Sequence, residues 1–394
     1  NTGREDKQAG KKGGIYMKLK YGMIGGGNGA FIGDVHRRGA FLGGYANLVC
    51  GCFTRNPQKN QEAAQQWGVE DPSRVYKNYQ EMAEAESQRE DGIDFVAITT
   101  PNDTHYDIAR LFLEKGIHVI CDKPVTSTLE QAKDLKRIAQ EKNLCFGVTY
   151  SYFGYAMVHQ AREMIEAGKI GKIVYVTTEY PQDWLLLNLR DEETRKKMWR
   201  IDPARARGSL CTVDIGTHLE ALIHAATGLT ITKVLARFDY TVDDIPLETN
   251  SNVMLQLSNG ASGNLWSSIV AVGQDADVRI RIYGTEGSLE WYHGKPGLLK
   301  YARLGEPVQY LAMNRDYNGA DSLSMSHLPA GHPEGYYEAF GNIYERFCKD
   351  VIARQEGATE KKYDYPDIDY GIHGVRFVDA CVESNEKGNV WITL

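Results

Sequence analysis

No stretch of this 394-residue chain approaches the roughly 20 consecutive apolar residues that a membrane-crossing helix needs, so no membrane partner is expected. Positive charge is not in excess either. Lys and Arg number 45 against 52 Asp and Glu, and a net charge of −7 is the wrong sign for gripping nucleic acid. Cysteine occurs seven times, an odd count with no framework of paired spacings, which points to core thiols in a reducing, cytoplasmic setting. Cys50 and Cys52 fall on one side of a strand, but no histidine or second pair joins them, so no metal centre is expected. The opening NTGREDKQAGKKGGIY lacks the apolar centre of a secretory signal. Residues 1–16 read as a disordered cloning remnant ahead of Met17. Internal repeats and low-complexity tracts are missing as well.

What remains is a chain too long for one ordinary core, so two domains are expected, at 17–148 and 149–394. The first alternates strand and helix signals. KLKYGMI, NLVCGCF, IDFVAIT, IHVICD and LCFGVTY are short apolar runs, and amphipathic segments separate them. Two of those segments end on glycine, and STLEQAKDLKRIAQEKN opens with a capping box expected at Ser127 and Glu130. That rhythm predicts a doubly wound parallel sheet, the α/β Rossmann class. After residue 150 helices are expected near 156–168, 190–200 and 217–227. Between 231 and 303 come five strand-like runs with short loops and no helix, as an open, mainly antiparallel sheet requires. Helical stretches at 335–352 and 368–386 complete an α+β domain.

Between the first strand and first helix lies Gly25-Gly26-Gly27-Asn28-Gly29-Ala30-Phe31-Ile32-Gly33. A G-x-G turn there brings bare backbone against a pyrophosphate whose charge sits on a helix N-terminus. Gly25, Gly27, Asn28 and Gly29 are therefore cofactor candidates, with Ala30, Phe31 and Ile32 opening the helix. Ala30 fits the third position of the fingerprint, while Gly33 fits it after a short insertion. The second strand ends Cys52-Phe53-Thr54-Arg55 with no acid to bond a ribose 2′-hydroxyl, so Thr54 and Arg55 leave both NAD and NADP open.

That loop, TTPNDTHYDIARLFLEKGIHVICDKP (99–124) and GSLCTVDIGTHLEAL (208–222) together resemble the glucose–fructose oxidoreductase / inositol dehydrogenase (Gfo/Idh/MocA) family. The late GHPEGYYEAFGNIY (331–344) extends the likeness over nearly the whole chain. The resemblance implies NAD, with NADP as the alternative, held also by Thr100, Pro101, Asn102, His105, Asp122 and Lys123. Two departures stand out. Asp122-Lys123-Pro124 has aspartate where the family usually has glutamate. The motif usually written D-x-G-x-H-x-x-D keeps Asp214, Gly216 and His218, but its last acid is Ala221, with Glu220 one place earlier.

A strand at the carboxyl edge of a parallel sheet delivers its last residues into the ligand crevice, and the proline fixes the turn after Lys123. A cis bond is one option there. His218 is expected to be the general base, since histidine titrates near neutrality. Asp214, a helical turn earlier, is expected to orient it, and Lys123 to stabilise alkoxide character. Tyr150, Tyr152 and Trp184 are candidates for lining a sugar pocket, with Lys123, Asp214, His218 and His332. The expected reaction moves hydride between nicotinamide and a secondary ring hydroxyl of a sugar or glycoside, including oxidation at glucoside C3. Alternatives are an inositol dehydrogenase, a glycosidase that retains NAD through a transient oxidation, and a non-catalytic sugar or nucleotide sensor. The small-molecule partner is thus a sugar, glycoside or cyclitol. A homo-oligomer formed through the C-terminal sheet is also expected.

Overall fold

The computed structural model describes residues 18–202, 206 and 208–394, so the remnant expected at 1–16 lies outside the described residues. In the first lobe, β1 (Leu19–Gly25), β2 (Ala46–Cys52), β3 (Phe95–Thr99), β4 (His118–Cys121) and β5 (Phe146–Val148) form a parallel sheet in the order β2-β1-β3-β4-β5. Helices α1 (Phe31–Gly43), α2 (Pro57–Gln66), α3 (Tyr79–Gln88), α4 (His105–Glu114) and α5 (Leu129–Glu141) connect the strands. Every residue of β3 and β4 is buried, because helices cover both faces of the sheet. The strand order reverses at β1, which opens a crevice beyond the carboxyl ends of β1 and β3.

The cap of α5 differs from expectation by one residue. Thr128, not Ser127, is the N-cap, and it exchanges bonds of 3.2 Å each with Gln131 rather than Glu130. The text S-T-L-E-Q contains both registers. The Thr126 hydroxyl bonds the Thr128 carbonyl at 2.8 Å, which holds the turn one residue further along.

The second lobe begins with α6 (Ala156–Glu166). Its sheet contains β6 (Ile173–Pro181), β7 (Ile231–Asp239), β8 (Asn250–Leu257), β9 (Ser262–Ser268), β10 (Arg279–Gly284) and β11 (Gly287–Tyr292). Three more strands, β12 (Leu298–Arg303), β13 (Gln309–Ala312) and β14 (Ile392–Thr393), extend its edges. All neighbours pair antiparallel except β6 with β9. The five runs expected between 231 and 303 are β7 to β11, and β6 is the central strand that local pattern did not reveal. β8 alternates buried and exposed positions, so one sheet face packs and the other meets water.

Among the described residues six further α-helices complete the lobe: α7 (Trp184–Leu189), α8 (Glu192–Lys197), α9 (Thr217–Thr227), α10 (Ala320–Ser324), α11 (Tyr336–Gln355) and α12 (Ile368–Glu386). A π-helical turn at Thr212–Gly216 leads into α9. Helix α11 returns to pack along α1, and α12 packs against both α5 and β7, so the end of the chain ties the two lobes. Glycine makes the α1–α11 approach possible: a Cβ on Gly39 would stand 2.7 Å from Cβ of Phe340. Among the described residues no helix is long and apolar enough to cross a membrane. All seven cysteines are buried free thiols.

Candidate active site

The glycine loop turns through three left-handed residues, Gly25 (φ 84°), Gly26 (φ 71°) and Gly29 (φ 85°), a region that side chains resist. A Cβ on Gly33 would lie 2.3 Å from the Gly26 Cα, so Gly33 is the glycine that seats α1 against the loop. No side chain caps α1, which leaves its first N–H groups turned outward. Beyond the loop opens a crevice of about 870 Å³, lined by Gly25, Gly27, Asn28 and Ala30 and by Thr54, Arg55, Thr100 and Pro101. Lys59 and Lys77 add positive charge at its far end, where β2 finishes without a carboxylate. This bare, cation-rimmed trough fits a dinucleotide. Gly29 and Phe31 are exposed and Ile32 is half-buried, and the Phe31 ring stacks on Tyr336 at 6.2 Å.

The ends of β3 and β4 are clamped together from below. His105 is completely buried, with its ring nitrogens 2.8 Å from the carbonyls of Thr100 and Pro124. It therefore braces two strand ends instead of reaching into the crevice, a correction to the expected direct contact with cofactor. Asp122 is likewise occupied at home: its Oδ1 accepts from the Lys123 N–H at 2.9 Å and from the Thr149 hydroxyl at 3.0 Å. Asn102 lies in a smaller cavity between the lobes, with Pro124, Arg200 and Asp214. The Lys123–Pro124 bond is cis.

Lys123 then crosses to the second lobe. Its ammonium donates to the Asp214 carbonyl and stands 3.2 Å from the Asp214 carboxylate. Arg200, which no motif marks, approaches the same carboxylate at 3.7 Å. The π turn that carries Asp214 is anchored by the buried Glu248, which accepts from the Ser209 hydroxyl and the N–H groups of Leu210 and Thr212 at 2.7–2.8 Å. Loss of water drives the Asp214 carboxyl upward, but the Lys123 and Arg200 charges outweigh it and hold it below the usual range.

His218 is 8% exposed on the first turn of α9. Burial, reinforced by the Lys123 ammonium and opposed by Asp214, pushes its imidazole well below the ordinary histidine value. Its Nδ1 has no hydrogen-bond partner, so Asp214 is bonded to Lys123 and not to the imidazole it was expected to orient. Tyr150 and Tyr152 meet the imidazole edge-on at 6.0 and 5.3 Å, and Tyr180 lies at 6.2 Å. Tyr152 also contacts Trp291 and His293, extending an aromatic wall. Trp184 is half-buried at the head of α7, outside these ring contacts. His332 is exposed on a loop, its Nδ1 3.0 Å from the Pro329 carbonyl, and is not drawn into this centre. Chemically, the centre offers an ammonium, an ionised carboxylate and a neutral imidazole at one interlobe opening beside the crevice.

Residues 19–150 match the oxidoreductase family with an NAD-binding Rossmann fold, and residues 158–290 match the GFO/IDH/MocA C-terminal domain. The chain is 37% identical to the uncharacterized oxidoreductase YfiI of Bacillus subtilis, across 96% of this chain and 97% of that one. Levoglucosan dehydrogenase of Pseudarthrobacter phenanthrenivorans is 25% identical over 67% of this chain and 70% of its own. Among solved structures, an inositol dehydrogenase homolog from Azotobacter vinelandii, complexed with NADH and myo-inositol, superposes with a TM-score of 0.89. It is 37% identical, with 96% of this chain and 98% of that one covered.

Proposed function

Because the chain belongs to the Gfo/Idh/MocA family and is an NAD(P)-dependent dehydrogenase, we propose that it oxidises a secondary ring hydroxyl of a sugar or glycoside. The observation that carries this reading is the 3.2 Å approach of Lys123, from the first lobe, to Asp214, one helical turn before His218 in the second. The glycine loop, Thr54, Arg55, Thr100 and Pro101 would hold the dinucleotide, which when bound supplies a hydride acceptor in its nicotinamide ring. His218 accepts the hydroxyl proton, and its depressed basicity keeps it neutral and ready at working pH. Lys123 bonds the same oxygen and steadies the negative charge that grows there. Asp214, held ionised, fixes the ammonium. Tyr150 and Tyr152 wall the imidazole and keep water from its sides.

Two finer readings fall within this proposal. Oxidation at glucoside C3 gives a ketone that acidifies the neighbouring C2 hydrogen, a useful product for a later elimination. Inositol oxidation is favoured by the Azotobacter vinelandii relative, which was crystallised with myo-inositol. Cofactor reduction across a panel of inositols, free sugars and aryl glucosides, with product ketones located by NMR, decides between them. No reduction with any polyol, despite cofactor binding, overturns the dehydrogenase reading. For the cofactor, NADP is the second choice beside NAD, favoured by Arg55, Lys59 and Lys77 lining the far end of the crevice. The exposed sheet face, which carries Tyr175, Met254 and Tyr283, supports a homo-oligomer paired through that sheet, and light scattering tests it.

A further inference from the structure

Oxidising an alcohol frees one proton for every hydride transferred. The hydrogen would leave carbon with the C–H electron pair for a bound nicotinamide, while the O–H proton passes to His218. The open side of His218 is where substrate must sit, so that proton needs another way out. On α9 and against it, three buried polar atoms have no hydrogen-bond partner: His218 Nδ1, the Tyr150 hydroxyl and Glu220 Oε2. Buried polar groups are rarely left unpaired, and Tyr150 stands between the other two, its ring 6.0 Å from His218 and its hydroxyl within electrostatic reach of Glu220.

Glu220 follows His218 by two residues, about 200° around the helix, so it leaves the opposite face. The displaced acid of the D-x-G-x-H motif has thus moved from the substrate side to the rear. There Glu220 is 3% exposed and lines a cavity of about 250 Å³. That volume holds several waters at about 30 Å³ each. Tyr150 spans the gap: its ring lies 6.0 Å from His218 and 6.4 Å from Tyr370, another residue of the cavity wall. Its hydroxyl points at α12, where a side chain on Gly374 would come within 2.2 Å of it. Only glycine leaves that space.

We propose that Tyr150 and Glu220 form a proton exit behind the catalytic helix, passing the proton taken up by His218 into the polar cavity beside α6 and α12. When one imidazole nitrogen receives the substrate proton, the other releases one toward Tyr150 and Glu220, and one proton leaves per hydride. Reduction runs the same path inward. Burial alone pushes the Glu220 carboxyl up to about 8, so it both binds and releases protons near neutrality. Arg162 faces it from α6, His224 from its own helix, Tyr370 and His373 from α12, and Tyr150 from behind His218. At the rim Lys361 is bonded to Asp367 at 2.8 Å, with Asp364 and Asp369 alongside.

The inference rests on His218 being the base, and its test separates the two. In the full-length, cofactor-free protein labelled at glutamate carboxyls and histidine nitrogens, NMR should show one carboxyl titrating near 8. That signal should vanish in Glu220→Gln, and the His218 resonances should respond to the same step in wild type but not in Tyr150→Phe. No carboxyl titrating above neutrality, or His218 signals indifferent to it, overturns the relay. With the polyol chosen by the panel, stopped-flow absorbance follows reduction while an indicator dye follows proton release. Glu220→Gln should reduce cofactor in its first turnover but release the proton late, and lose turnover at least about tenfold. Glu220→Asp or added imidazole should restore it. Synchronous release in both variants overturns the relay alone, whereas normal reduction in His218→Ala overturns the reading beneath it.

Discussion

Two of this molecule's ion pairs, one in the first lobe and one between the lobes, are built in opposite ways. In the first lobe Arg74 meets Glu86 through two bonds, at 2.9 and 2.5 Å, and Tyr76 adds a third to the same carboxylate at 2.7 Å. Both side chains are essentially sealed, and each finds partners. Between the lobes, the Lys123 ammonium stands a looser 3.2 Å from the Asp214 carboxylate, with 13% and 21% of their side chains accessible. The imidazole beside them carries an unpartnered nitrogen. A pair that fastens structure satisfies every donor, since an unmet buried charge is costly. A pair that serves chemistry leaves capacity for a visitor.

The largest expected effects test that contrast directly. His218→Ala should slow hydride transfer by about 10²–10⁴ while thermal stability barely moves. Lys123→Ala should cost about 10²–10³ in the same stopped-flow measurement. At the other pair the signs exchange. Glu86→Ala should remove about 3–5 kcal/mol of stability in a denaturant titration, because the buried Arg74 keeps only its 3.5 Å approaches to Asp91. The folded fraction should turn over normally. If Glu86→Ala silences catalysis or Lys123→Ala unfolds the protein, the division between fastening and working pairs fails.

Smaller effects sharpen it. The Lys123 charge helps hold the His218 imidazole low, so the acidic limb of kcat/KM for oxidation should lie below the ordinary histidine value of 6.5. Removing that charge in Lys123→Met should move the limb upward in the residual activity. Glu220 gives a stability counterpart. Its folded value of about 8 exceeds its unfolded 4.5, so the folded state binds the proton more tightly. Stability from this group is whole below the lower value and is lost as pH rises through the upper one. Glu220→Gln should therefore raise the melting temperature in alkali more than in acid. Smallest of all, Arg55→Ala should raise KM for NADP about tenfold with little change for NAD, through loss of one charge-assisted contact.

Much of the first lobe was legible because its signals are local. Short apolar runs, helices ending on glycine, and G-x-G after the first strand each sit within about a dozen residues. The trio Lys123, Asp214 and His218 was legible through its motifs. β6 was not, because a central strand that pairs with β9 and β10 about 87 to 111 positions away has partners no local pattern names. Glu248 gave no hint either: a glutamate before a strand looks solvated until folding brings it under the π turn. His105 misled for a related reason. A histidine opening a helix just past a strand end near a crevice suggests contact with ligand, but its ring turns inward to the carbonyls of Thr100 and Pro124.

The sequence by itself determined the alternation of strand and helix, the turns only glycine can make, and which residue types stand at strand ends. Backbone sterics and hydrophobic period act over a few residues, so neighbours along the chain suffice. Tertiary structure alone decided that Lys123 should touch Asp214 from 91 positions away and that Glu220 should face a cavity behind the imidazole. Those outcomes depend on how two lobes and the returning helices α11 and α12 pack, which sums many weak contacts between distant segments.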